Sequence, residues 1–115
     1  MGKEKFLMQA FSLNDILDVR AASGKLYHEF LRVPALSAGI YELAAGTIDP
    51  QNPHDQDEVY YVIRGRAHIR VADEDRAVQP GDTIYVAAHV PHKFHTIVED
   101  LTILVLFAPA EGEKG

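Results

Sequence analysis

The chain has no cysteine among its 115 residues, so it can form no disulfide and offers no thiolate as nucleophile or metal ligand. That suits a reducing cytoplasm, where the protein is expected. No apolar run approaches the roughly 20 residues that span a bilayer. The longest, LTILVLFAPA, falls short. The N-terminal MGKEKFLMQAF lacks an extended apolar region with a cleavage site, so no signal peptide is expected. Gly2 opens like a myristoylation motif, but the sixth position is Phe6 rather than Ser or Thr. Basic clusters interleaved with aromatics are missing too, and the net charge is -6. The expectation is neither a nucleic-acid nor a membrane partner.

What is present reads as a small β protein. The length suits a single domain over 1–115, large enough for one hydrophobic core without staples. FSLNDILDVRAASGK predicts one helix, with Ser12 as cap, Asp15 in the first turn, Leu13, Ile16 and Leu17 on one face, and Gly24 as stop. From Lys25 onward the pattern is β. Two runs, 25–33 and 37–45, flank Pro34, and DEVYYVIR leads through Gly65 into RAHIRVA as a hairpin reading. DEDR reads as a turn, AVQ as a short strand, and Pro80-Gly81-Asp82 as part of a type II turn. TIYVA, HKFHTIV and LTILVLF follow, the last two split by Glu99-Asp100. Short strands at regular spacing between Gly and Pro turns indicate an all-β sandwich or barrel. Its core is expected over about 25–108, preceded by an N-terminal strand and helix in 1–24 and followed by a flexible tail at 109–115. Barrel edge strands need cover.

One stretch carries the functional question. NPHDQDEVYYVIRG (52–65) sets a histidine and acids just ahead of a run that reads as a buried strand. Polar groups there are costly unless something satisfies them. Residues two apart in an extended chain face the same way. His54, Gln56, Glu58, Tyr60 and Val62 then share one face, and His92, Phe94 and Thr96 share one face of HKFHTIV, with His95 on the other. Two such strands would bring His54, Glu58 and His92 to one point. Two imidazoles and a carboxylate with open positions suit Fe(II). With a tetrahedral water they suit Zn.

These residues resemble the cupin family. Glu58, the six residues VYYVIR and Gly65 match the second half of its first motif, and His54 matches that motif's second histidine. GDTIYVAAHVPHKFHT matches the second motif, with Gly81 and His92 in place, Ala87 for Pro, His89 for Gly and Thr96 for Asn. The first histidine of the family's His-x-His is Asn52 here, and Gly46 lies two residues too far from His54. The resemblance implies an all-β cupin jelly-roll barrel with a short N-terminal helix. It implies one divalent metal ion, Fe, Mn, Ni or Zn, held by His54, Glu58 and His92, with Asn52 or Gln51 as a weaker oxygen donor, or water instead. It further implies a homodimer, and a small oxygenated molecule bound at the barrel mouth. The activity implied is that of a dioxygenase, isomerase or lyase, or else a non-catalytic module that binds or senses a small ligand, with or without metal.

Tyr60, Val62, Tyr85, Phe94 and Thr96 are the pocket candidates, although aromatics in a small barrel also serve simply as core. His95 reads as a surface residue, and His68, alternating with Arg70, as part of a solvated or interface face. His89 reads as a turn or pocket-rim residue, and His28, between Leu26 and Phe30, as packed.

Overall fold

The computed structural model of the chain describes residues 7–112. Helix α1 (Leu13–Ser23) begins after Ser12, whose side chain makes no capping bond, and ends at Gly24. Gly24 takes a left-handed φ of 74°, which costs an L side chain more than glycine. Ile16 is buried, and Arg20 Nε donates to Glu42 Oε1 at 2.6 Å, fastening the helix to the sheet. No strand precedes the helix among residues 7–12, and residues 1–6 lie outside the described chain.

Six strands follow among the described residues: β1 (Tyr27–Val33), β2 (Leu36–Leu43), β3 (Asp57–Val71), β4 (Glu74–Val78), β5 (Thr83–Val86) and β6 (His92–Ala108). All pairings are antiparallel, in the order β1-β2-β6-β3-β4, with β5 also on β3. β1 and β2, the two runs expected on either side of Pro34, pair as a hairpin around Pro34-Ala35. The turn at Pro80 is also as expected: Asp82 N–H donates to Gln79 O at 3.1 Å, and Gly81 carries a φ of 96°.

Three local expectations are corrected. Gly65 does not turn a hairpin. It sits inside one 15-residue strand, β3, where the register with β6 slips between Val62 and His68. Its φ is 98°, and a Cβ there would run into the Asp100 carbonyl oxygen and lie 2.7 Å from Leu101 Cα. The glycine therefore permits a bulge at a close strand crossing, and a bulge bends a strand where a turn would reverse it. Glu99-Asp100 likewise fails to split β6, which runs unbroken for 17 residues. Finally, the turn after β3 is only Ala72-Asp73, so Glu74, Asp75 and Arg76 of the expected DEDR turn belong to β4.

The bulge has a consequence for facing. Glu58, Tyr60 and Val62 are buried ahead of it, and Ala67 and Ile69 after it, so the inward parity changes. Both halves of β3 contribute to one core, with Phe94, Leu101, Ile103 and Phe107 of β6. Of residues 109–112, expected to belong to a flexible tail, Pro109 and Glu111 are half-buried and Gly112 is exposed. Ala110 is buried, its N–H donates to Pro34 O, and Glu111 N–H donates to Ser37 Oγ at 2.9 Å. Residues 113–115 lie outside the described chain.

Candidate metal centre

The segment 44–56 has no regular structure, yet it is pinned at several points. Its anchor is Asp49, fully buried and satisfied by four donors. Oδ1 accepts from Tyr41 OH at 2.5 Å and from Gln51 N–H at 3.2 Å, and Oδ2 from Gln51 Nε2 at 2.7 Å and from Phe94 N–H at 2.9 Å. A buried carboxylate persists only when it is paired or hydrogen-bonded in this way. His54 O accepts from His89 N–H at 2.7 Å, and Asp57 Oδ1 from Ala88 N–H at 2.9 Å. The His54 segment is thereby laced to the turn that leads into His92. Asp49 does not stand out in the sequence, where a lone acid in a loop carries no signal; of its partners, Gln51 and Phe94 do, but for other roles.

His54, Glu58 and His92 offer ligand atoms that all lie within 4.8 Å of one another. Glu58 is delivered by the inward face of β3, His92 by the first residue of β6, and His54 by the pinned loop. The side chains of Glu58 and His92 are each 1% exposed, and that of His54 is 20% exposed. His92 Nδ1 lies 2.8 Å from Val90 O, which makes Nδ1 the N–H donor and leaves Nε2 facing inward. His54 Nδ1 lies 3.1 Å from Glu111 Oε2, so its Nε2 too is turned toward the site. Both imidazoles thus have one nitrogen anchored, as a carboxylate or carbonyl anchors a ligating histidine.

Two of the inward atoms lack hydrogen-bond partners among the described residues. His92 Nε2 approaches Glu58 Oε1 to 2.9 Å without meeting hydrogen-bond geometry, and Glu58 Oε2 has no partner among the described residues. Burial lowers the His92 pKa, but Glu58 and the Val90 carbonyl outweigh it, and the net direction is up. A positive charge between His92 and Glu58 is what this pair calls for. The 2.9 Å spacing of this pair is compatible with a shared divalent ion, since donors at right angles, each about 2.1 Å from one ion, lie about 3 Å apart.

Of the two further donors considered, Gln51 is beside the trio and Asn52 is exposed. Gln51 Oε1 accepts from Tyr60 OH at 3.0 Å and lies 3.4 Å from His54 Nε2. Tyr60, Val62 and Phe94 are wholly buried, and the Tyr60 and Phe94 rings pack edge-on, centroids 5.0 Å apart. Two pocket candidates stand elsewhere. Tyr85 is 61% exposed and lines a separate hollow with Ile69 and Val71. Thr96 does not share the inward face of His92 and Phe94: its φ of 49° turns it out, and Ile97 takes the buried place. A cavity of about 220 Å³ opens beside the trio, with His54, Gln51, Tyr27, Tyr41, Phe107 and Glu111 among its walls.

The cupin domain model matches residues 39–107. The chain belongs to the cupin family. This cupin is 51% identical over 105 residues to an uncharacterised protein of Streptomyces coelicolor, covering 91% of this chain and all of that one. Among solved structures it is similar to TT1209 of Thermus thermophilus, at 23% identity and a TM-score of 0.71, over 90% of this chain and 99% of that one. It is also similar to the DMSP lyase DddQ of Ruegeria pomeroyi, at 20% identity and a TM-score of 0.66, over 87% of this chain and 65% of that one. At these identities the structural likenesses speak to the fold, a jelly roll. Cupins commonly bind metal ions and small molecules, and the trio in this cupin lies on the strands and loop that the family match spans.

Proposed function

We propose that this cupin holds one divalent ion, of Fe, Mn, Ni or Zn, through His54, Glu58 and His92, and admits a small oxygenated molecule to the adjacent cavity. The observation that carries this reading is the convergence of three donors, two of which present buried inward atoms, His92 Nε2 and Glu58 Oε2, with no hydrogen-bond partner among the described residues. When bound, the ion supplies Lewis-acid or redox chemistry to an oxygen-bearing group. The chain's own residues do the rest. Val90 O and Glu111 fix the two imidazoles, Gln51 supports the third side, and Tyr27, Tyr41 and Phe107 form an apolar wall that limits water.

Among the described residues, Glu111 is the one further carboxylate on that wall, and it is engaged with His54. This favours metal-centred lyase, isomerase or dioxygenase chemistry over acid/base exchange by free side chains. It also keeps a second reading alive, a module that binds or senses a ligand without turning it over. Oxygen consumption or product formation with candidate substrates separates the two. Elemental analysis of protein purified without added metal or chelator tests the site itself. About one equivalent is expected at this site, and most of that equivalent should be lost in His54→Ala and in His92→Ala. Full metal content in both variants would overturn the assignment. The same reading places the cupin in the cytoplasm and has it paired as a homodimer, since β1 and β4 end the sheet with no further strand among the described residues. A monomer mass by light scattering at micromolar concentration would end that part.

A further inference from the structure

A second meeting of imidazoles and a carboxylate stands on the outside of the sheet. The bulge at Gly65 turns His68 outward on β3 while Ala67 and Ile69 stay in the core. His95 of β6 is its direct ladder partner, with ring centroids 5.4 Å apart and planes tilted by 36°. Asp75 arrives from β4, on the other side of β3, where it is paired with Arg70. Its carboxylate spans both rings: Oδ2 is 2.8 Å from His95 Nε2, and Oδ1 is 3.4 Å from His68 Nδ1. Neighbouring strands lie about 4.8 Å apart, so same-face side chains on three consecutive strands can reach one point. Donor atoms of all three residues fall within 4.8 Å of one another.

We propose that His68, Asp75 and His95 form a second metal site, separate from the barrel mouth, for a borderline divalent ion such as Zn²⁺, Ni²⁺ or Cu²⁺. Two imidazole nitrogens and one carboxylate oxygen select such ions over Mg²⁺ and Ca²⁺, which take oxygen ligands. Thr96 Oγ1 lies 3.0 Å from His95 Nδ1, so Nε2 is the nitrogen presented. The side chains of His68, Asp75 and His95 are 45%, 28% and 40% exposed, so an ion and its completing waters enter without backbone movement. Arg70 Nε, 3.5 Å from Asp75 Oδ2, is the cation the metal displaces, and it weakens the site. A bound ion would clip β4, an edge strand, to β6 across the intervening β3.

Zn²⁺ titration of the chelator-stripped full chain by calorimetry tests this. Wild type should take two ions per chain. His68→Ala and His95→Ala should each weaken one of the two events at least tenfold and leave the other unchanged. The His54→Ala/His92→Ala double variant should keep the outer event, so a failure of the mouth assignment is distinguishable from a failure of this one. Arg70→Ala should tighten the outer event severalfold. On adding Zn²⁺ to the mouth double variant, the ring resonances of His68 and His95 should shift. The proposal is overturned if His68→Ala/His95→Ala binds as many ions as tightly as wild type, or if those resonances do not move.

Discussion

Glu111, from the C-terminal segment, sets its carboxylate 3.1 Å from Nδ1 of His54. The contact holds because Glu111 is itself fixed, its N–H donating to Ser37 Oγ and its carbonyl accepting from Arg32 at 2.7 Å. A histidine whose Nδ1–H meets a carboxylate presents Nε2 in a set direction and as a stronger base. Glu111→Gln should therefore lower metal affinity about 10–100-fold. Circular dichroism should be unchanged. Competition against a chromophoric chelator reads the effect, and unchanged affinity would remove Glu111 from the site.

Glu58→Gln separates a ligand from a structural carboxylate. Glu58 Oε2 has no partner among the described residues, so neutralising it relieves a desolvated charge. The metal-free variant should melt no lower than metal-free wild type, while metal content falls sharply. A variant that melts early yet keeps its metal would show that Glu58 is a structural acceptor, with a loss of roughly 1–3 kcal/mol.

Gly65→Ala should be severely destabilising. The new Cβ would run into the Asp100 carbonyl oxygen in a backbone held at a φ of 98°. Strain at a left-handed position and overpacking each cost roughly 1–3 kcal/mol. The two together place the loss at about 2–6 kcal/mol, read by denaturant melts. A loss below about 1 kcal/mol would mean that the strand crossing is looser than described.

Alkaline pH should unfold the protein through its buried tyrosines. Burial first, then the Asp49 hydrogen bond, pushes the Tyr41 hydroxyl well above its ordinary value. Burial first, then Glu111, does the same to Tyr27. The folded chain holds these protons more tightly than the unfolded chain, whose tyrosines ionise near ~10. Their contribution is intact below that value and lost as pH rises toward the higher folded values. Phenolate absorbance and circular dichroism should then change together for this class. Phenolate from Tyr41 appearing in a still-folded protein would contradict it.

The β class, the single helix with its Gly24 stop, the Pro80 turn and the inward set Glu58, Tyr60 and Val62 were all legible in the sequence. Each is written in short-range pattern: a period of two, a glycine after the last helical turn, Pro followed by Gly. The same alternation marked His92 and His95 as opposite-facing, and they are. What local pattern does not encode is long-range closure. Gly65 looks the same whether it makes a turn or a bulge, and only the passage of Asp100 across it decides. Thr96 leaves the inward face because β6 slips its register there, a property of the pairing rather than of the residue. Asp49 and Glu111 acquire their roles from partners far along the chain, Phe94 for one and His54 for the other. Sequence periodicity determined which side chains face inward within a strand, because that follows from backbone geometry alone. Which of them meet was decided by tertiary structure, because bulges reset the facing and hydrogen bonds across the fold hold the loops in place.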